Sequence, residues 1–461
     1  MPLLDANDPR PVHFVGIAGA GMSALAELFV KRGVVVTGCD ASLAGADDLR
    51  ALGVQLDLGH DPAHVAAARA LVVTSAVPAD NAEVAAARAA GLPVVRRAEA
   101  LGEAVRGGTL VAVAGTHGKT TTTVMTTEAL ASAGRRPTGI AGGRVERWGG
   151  NLRYDGDQLF VVEADEYDRS FLALTPTVAV VTNLEADHLD IYRDLDDIRQ
   201  AFSAFLAPAH TIVVCADDPG AASLDVTTGA QVIRYGVASP DARLVGVPRR
   251  RADGCTVVAA TFDGEQLGDV ALAVPGLHNV RNALAALACG LALGAPFDRL
   301  RQGLEQFQGV ERRFQRLGTA AGVAVVDDYA HHPTEVAATI AAARDAYPGR
   351  RLVVAFQPHL YSRTRDFAEG FAEALATADV LFLTTLYPSR ERPIDGVSSA
   401  LIADRMTAAG RAPAWSGART DAASALAAFV QDGDVVLTMG AGDITRTGPE
   451  LLSLLAGGPS A

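Results

Sequence analysis

Thr109-Leu-Val-Ala-Val-Ala114 runs without a break into Gly115-Thr-His-Gly-Lys-Thr-Thr-Thr-Thr123. Five consecutive apolar residues ending at a glycine read as a buried strand of a parallel sheet. The glycines let backbone N–H groups face a triphosphate, and the threonines then open a helix whose N-terminus favours anions. Lys119 is placed to bridge the outer phosphates, and the Thr120 hydroxyl to bind Mg²⁺. The spacing departs from the full GxxxxGK[ST] pattern, because position 113 is valine and the leading glycine stands at 115. An ordinary strand–helix turn is the competing reading. Against it stands composition: Lys31 and Lys119 are the only lysines, and 38 of the 40 basic residues are arginine. A compact ammonium suits a phosphate slot that a planar guanidinium fits less well.

Outward from this stretch, apolar runs alternate with amphipathic segments, the pattern of βαβ units around parallel sheets. Upstream, 11–16, 34–39 and 71–75 are expected strands, with helices over 22–32 and 81–90. Downstream, strands are expected at 159–162, 178–182 and 211–215, then a patch of short antiparallel strands over 243–269 and a helix over 278–293. Residues 308–313 read as a hinge. Beyond it, strands are expected at 323–326, 351–356, 380–384 and 435–438, with helices over 333–346, 366–376 and 421–431. The length of 461 residues agrees with three domains. The expected fold class is α/β. A Rossmann-like N-terminal domain spans 1–107, a P-loop ATPase-like central domain 108–311, and a Rossmann-like C-terminal domain 312–461.

Composition excludes several classes. Hydrophobic content of 49% allows large cores and rules out global disorder. No charged leader precedes an apolar run at Met1, and no apolar stretch approaches the ~18 residues of a membrane span, so a cytoplasmic location is expected. Cys39, Cys215, Cys255 and Cys289 are far apart with no CxxC pair, which predicts reduced core thiols. A net charge of −13 disfavours non-specific binding to nucleic acid or anionic lipid.

Further chemistry gathers after other expected strands. His13-Phe-Val-Gly-Ile-Ala-Gly-Ala-Gly-Met-Ser23 places Gly16, Gly19 and Gly21 in a strand–helix turn, and Asp40 ends the next strand. That is a Rossmann-like anion site without the NAD fingerprint, or a turn glycine-rich for packing alone. Glu163-Ala-Asp-Glu-Tyr-Asp168 offers four carboxylates, and Thr182–Asp190 carries Asp187 and His188. Each is a solvated acidic turn or, converging on the loop at 115–121, part of a Mg²⁺ site. Pro275–Asn282 brings His278, Asn279 and Asn282 to a helix start, where base contact and helix capping compete. Val326–Glu335 is rich in ionisable groups; zinc is possible there, but divergent adjacent histidines favour substrate contacts. Arg363 and Arg365 follow another expected strand and suit an anion.

HFVGIAGAGMS, GTHGKTTTT, EADEYDRSF, TNLEADHLDIY, GLHNVRNA, GVERRF, DDYAHHPTE, FQPHLYSRT and GAGDI follow one another along nearly the whole chain. In this order they resemble the Mur ligase family of ATP-dependent amide-forming enzymes. The glycine motif near the N-terminus, DDYAHHPTE and FQPH resemble the alanine-adding branch. The resemblance implies an enzyme of peptidoglycan precursor synthesis that joins L-alanine to the lactyl carboxylate of UDP-N-acetylmuramate through an acyl phosphate. ATP binding would fall to Gly115, Thr116, His117, Gly118, Lys119, Thr120, Thr121 and Asn282, and from the third domain to Arg313 and Asp327. Gly16, Gly19, Gly21, Met22, Ser23 and Asp40 would hold the UDP-sugar, with His60 and Ser75 as weaker candidates. Two Mg²⁺ ions would sit on Thr120, Glu163 and His188. Tyr329, His331 and Arg363 would shape the alanine and acyl-phosphate site; Lys119, Glu163, His188, His331 and Arg363 would be catalytic. Relatives that carry a carbamylated lysine differ, since 189–209 contains no lysine, and Leu360 stands where the family often has arginine.

Three rivals remain at the level of sequence. One is the related ligase that recycles a murein tripeptide onto UDP-N-acetylmuramate. An NAD-linked dehydrogenase would leave the loop at 115–121 unexplained. A nucleotide-gated binding module would make the clustered carboxylates and histidines coincidental.

Overall fold

Strand β1 (Val12–Val15) is buried at every residue because parallel neighbours flank it on both sides. With β2 (Val36–Asp40), β3 (Gln55–Leu58), β4 (Ala70–Val73) and β5 (Val94–Arg96) it forms a sheet in the order β3-β2-β1-β4-β5. The computed structural model describes residues 3–78, 80–189, 191–226, 229–250, 255–389 and 391–457. Met1, Asp190 and residues 251–254 of the expected short-strand patch lie outside them.

A second sheet is built on β6 (Thr109–Ala114), β7 (Pro137–Val145), β8 (Gly150–Arg153), β9 (Leu159–Glu163), β10 (Val178–Val181), β11 (Thr211–Cys215), β12 (Gln231–Gly236), β13 (Leu244–Arg250), β14 (Thr256–Phe262) and β15 (Glu265–Leu272). Its order is β15-β14-β13-β12-β11-β10-β6-β9-β7-β8, so β6 is central. Parallel neighbours β9 and β10 explain why Leu110–Ala114 has no polar residue. Strand β7 has no counterpart among the expected strands; Pro137 and three glycines, Gly139, Gly142 and Gly143, interrupt its apolar pattern. Gly139 instead lets the strand lie against helix Lys119–Ser132: a Cβ there would stand 2.7 Å from Thr127 Cγ2.

The third sheet runs β16-β17-β21-β18-β19-β20 through β16 (Gln315–Ala320), β17 (Val323–Asp328), β18 (Leu352–Phe356), β19 (Val380–Thr384), β20 (Trp415–Gly417) and β21 (Val435–Met439). Only β16 pairs antiparallel, at one edge. The helix expected over 366–376 is Ala368–Leu375, preceded by a short unexpected helix, Tyr361–Asp366, and that expected over 421–431 is Arg419–Ala427. Residues 310–314 turn tightly, with left-handed Arg312 and Phe314.

The chain is three-domain α/β, gathered into two compact units. One takes in Met1–Pro248, Val258–Ala271 and Arg281–Phe307; the other takes in Arg249–Val257, Leu272–Val280 and Gln308–Ala461. The four cysteines are free, with Cys255 half-buried and the others buried. Among the described residues, no helix is long and apolar enough to cross a membrane.

Candidate active site

Strand register assembles the loop at 115–118. Val113 lies opposite Glu163 of β9 and Ala114 opposite Val181 of β10, so three strand ends meet where the chain turns into helix Lys119–Ser132. Gly115 and Gly118 occupy positive φ, at +132° and +81°. The segment after β10 holds the loop: Asn183 Oδ1 accepts from His117 N at 2.7 Å, and Thr182 Oγ1 donates to His117 O at 2.6 Å. Glu185 N donates to Thr116 Oγ1. Thr182 and Asn183 therefore shape the loop backbone. Asn282 is buried at the other side; its Oδ1 accepts from Thr122 Oγ1 at 3.2 Å, and a Cβ on Gly118 would come within 2.7 Å of it.

Lys119 Nζ donates to the carbonyls of Gly115 and Thr116 at 2.7 and 3.2 Å and to both oxygens of Glu166 at 2.8 Å. Burial opposes charge on both partners. The Lys119 ammonium nevertheless stays above its usual range beside Glu166, Asp165 and Glu163, and the Glu166 carboxyl stays below its own beside Lys119 and His188. Glu166, which the sequence does not single out, is one of four carboxylates within six residues, and it is the one that pairs with Lys119. His188 Nε2 lies 3.5 Å from Glu166 Oε1 with its backbone left-handed at φ +53°. Burial lowers the imidazole, but hydrogen bonding to Glu166 and the charges of Asp187 and Glu166 outweigh it and raise the net value.

Glu163 faces a different partner set. Its Oε2 accepts from Thr120 Oγ1 at 2.8 Å and from Gly142 N at 2.7 Å. A hydroxyl and a carboxylate side by side at a helix N-terminus are hard oxygen donors, which fit Mg²⁺ shared with phosphate oxygens. His188, a nitrogen donor already turned to Glu166, fits a second hard cation less well.

Within the same unit, a cavity of about 580 Å³ extends from this carboxylate to the N-terminal glycine loop. Gly16, Gly19, Gly21, Met22, Asp40 and His60 line one side, and Gly142, Glu163 and Asp165 the other. Asp40 clamps the loop, accepting from Ala18 N at 3.0 Å. Ser23 and Ser75 do not line the cavity: the Ser23 hydroxyl donates to Ala20 O, and Ser75 is exposed in a turn where Thr74 takes the lining position. Arg97, unnoticed in the sequence, stands in the cavity with Nη2 3.8 Å from Asp165 Oδ2 and its guanidinium against Gly21. Its position after β5 becomes informative only once β5 is beside β4.

In the other unit, Tyr329, His331, Arg313 and Arg363 follow strands β17 and β18 or precede β16. The guanidinium groups of Arg312 and Arg313 lie over the Tyr329 ring, 4.7 and 5.0 Å from its centre. His331 faces Glu335, with Nδ1 3.1 Å from Oε2, and packs edge-on against Tyr329. His332 turns the other way, capping helix Pro333–Ala346 and packing on Phe367. Asp327 is engaged within the fold, accepting from Thr438 and Thr445 hydroxyls at 2.6 and 2.7 Å. Arg363 is buried in helix Tyr361–Asp366, which opens at Leu360 with φ +69°.

Residues 11–109 match the sequence model of the Mur ligase family catalytic domain, 113–290 the Mur ligase middle domain, and 312–442 the Mur ligase glutamate ligase domain. The UDP-N-acetylmuramate–L-alanine ligase of Laribacter hongkongensis is 46% identical over 472 residues, covering 98% of this chain and 99% of that protein. The protein of the same name from Burkholderia ambifaria is 45% identical over 446 residues, covering 94% and 96%. A UDP-N-acetylmuramate–alanine ligase crystal structure from Thermotoga maritima aligns with a TM-score of 0.83 at 29% identity, covering 96% of this chain and 98% of that one. A murein peptide ligase from Psychrobacter arcticus shares the fold, with a TM-score of 0.73 at 24% identity. With its three sheets, its phosphate loop and these relatives spanning almost its entire length, the chain belongs to the Mur ligase family.

Proposed function

We infer that the chain is an ATP-dependent ligase joining L-alanine to the lactyl carboxylate of UDP-N-acetylmuramate, in the cytoplasm, for peptidoglycan precursor synthesis. The observation that carries this reading is the single cavity joining the N-terminal glycine loop to Glu163 beside the phosphate loop, in a chain 45–46% identical to ligases of that name. A sugar nucleotide on the glycine loop would present its carboxylate to a γ-phosphate held at Lys119. The murein tripeptide ligases share the fold at lower identity.

The lactyl carboxylate oxygen attacks the γ-phosphorus, the bond to the β-phosphate oxygen breaks, and ADP departs from an acyl phosphate. The alanine amine then attacks the acyl carbon, and the tetrahedral adduct collapses to amide and phosphate. Lys119 offsets charge on the outer phosphates, and the N–H groups of the 115–121 loop hold the chain of phosphates in line. Thr120 and Glu163 would hold Mg²⁺, which supplies charge neutralisation between carboxylate and phosphate. His188 orients Glu166 and through it Lys119; a second ion there is the remaining part of the assignment. Gly16, Gly19, Gly21, Met22, Asp40 and His60 would receive the UDP-sugar, with Ser23 and Ser75 further from it.

For the C-terminal unit we assign Arg313 and Asp327 to the nucleotide, and Tyr329, His331 and Arg363 to alanine and the acyl phosphate. Their grouping at the carboxyl ends of β17 and β18, where open α/β sheets bind ligands, supports this. The domain limits proposed are 1–107, 108–311 and 312–461, close to the family matches. Mass spectrometry of products from ATP, UDP-N-acetylmuramate and either L-alanine or the tripeptide tests the assignment. The alanyl product is expected; turnover with tripeptide alone would overturn it.

A further inference from the structure

Below the glycine loop of the first sheet lies a nest of side chains of which only His60, at its rim, has a part in the proposed ligase site. Glu83, at the start of helix Ala82–Ala89, is fully buried and is approached from four directions. His64 Nδ1 is 2.6 Å from Oε1, His60 Nδ1 is 3.0 Å from Oε2, and Cys39 Sγ is 3.2 and 3.0 Å from the two oxygens. His13 Nε2 is 3.6 Å from Oε1 and has no hydrogen-bond partner, although the residue is wholly buried. Its other ring nitrogen, Nδ1, meets Thr37 Oγ1 at 2.9 Å.

One atom each from His13, Cys39, His64 and Glu83 lies within 4.8 Å of all the others. A tetrahedral Zn²⁺ ion places its nitrogen, oxygen and sulfur ligands roughly 3.3–3.6 Å apart, given bond lengths near 2.0–2.3 Å. The nest is thus within side-chain adjustment of a closed coordination shell. Two further features fit a metal. A buried imidazole with one nitrogen held by an outer partner and the other aimed, unbonded, at a carboxylate is how metal-ligating histidines are oriented. A thiol and two imidazoles are soft or borderline donors, which select Zn²⁺ over Mg²⁺.

We propose that His13 Nε2, Cys39 Sγ, His64 Nδ1 and one Glu83 oxygen form a Zn²⁺ site in the N-terminal domain, separate from the phosphate loop. The thiol proton leaves to solvent as the Zn–S bond forms, with no change of oxidation state. Cys39 O accepts the N–H groups of Gly16 and Ile17 at 2.8 and 3.1 Å, and His60 stands between the nest and the cavity. Metal bound here therefore steadies the strand end on which the glycine loop rests.

The test uses the full chain, stripped with chelator and titrated with Co²⁺ in the absence of nucleotide. One equivalent should produce a thiolate-to-cobalt charge-transfer band with tetrahedral d–d bands, both bleached by Zn²⁺. Cys39→Ser should abolish the charge-transfer band, whereas Glu163→Gln should leave it intact. Thr37→Val, which removes only the outer partner of His13, should weaken Co²⁺ binding by about 10–100-fold. Absence of the band from the parent chain overturns the proposal, as does a band that survives Cys39→Ser. Should Cys39→Ser fail to fold, the parent spectrum and Thr37→Val decide.

Discussion

Lys119 illustrates how much one residue's chemistry depends on its partner. Its half-buried ammonium packs against buried Glu166, so removing it takes away that carboxylate's nearest counter-charge. Lys119→Ala is expected to abolish ATP-dependent phosphate release and also to cost about 3–5 kcal/mol of stability, read from denaturant unfolding. Lys119→Met with Glu166→Gln should recover most of that stability and none of the activity, separating the two roles. The same pair sets an acid limit. Glu166 has a folded pKa below its ordinary 4.5, so its contribution is present above 4.5 and is lost as pH falls through the lowered value. Melting temperature should accordingly drop more steeply below pH 4.5 in the parent than in the double variant. Lys119 itself was legible in the sequence because lysine is so scarce there; Glu166 was not, because nothing in EADEYD says which carboxylate turns inward.

Glycines decide how elements approach one another. Within β7, a Cβ on Gly142 would lie 2.7 Å from Glu163 Oε2, against the face that meets Thr120. Gly142→Ala should displace that carboxylate and raise the Mg²⁺ concentration giving half-maximal activity by about tenfold, with the circular dichroism spectrum unchanged; an unaltered Mg²⁺ dependence would remove Glu163 from the metal site. Gly303, in helix Phe297–Glu305, lies against helix Lys119–Ser132, where a Cβ would meet Glu128 O at 2.5 Å. That neighbour is backbone and cannot swing away, so Gly303→Ala should destabilise the chain by about 1–3 kcal/mol in chemical unfolding. Strands with continuous apolar runs, such as β6, β10 and β18, could be read directly because burial on both faces demands them. β7 and β12 could not: their residues alternate or carry glycine, and their strand character comes from the neighbours they pair with.

At the scale of the whole molecule, a net charge of −13 meets anionic substrates through local devices, not through a global field. Arg97 is placed to be one of them, lying between Gly21 at the start of the first helix and Asp165 beyond β9 of the second sheet. Arg97→Ala should raise the KM for UDP-N-acetylmuramate by at least about tenfold and leave the KM for ATP within about twofold, as steady-state kinetics would show. By itself the sequence determined the α/β class, the order of three sheet-bearing domains and the strand–loop–helix at 109–123, because these follow from local apolar periodicity and from glycine and lysine at fixed spacing. Only the tertiary structure decided which carboxylate pairs with Lys119, that Arg97 faces the cavity while Ser75 does not, and that His13, Cys39, His64 and Glu83 meet. Residues separated by 19 to 70 positions are brought within a few ångströms by parallel strand register, and register depends on packing between segments rather than on the composition of any one of them.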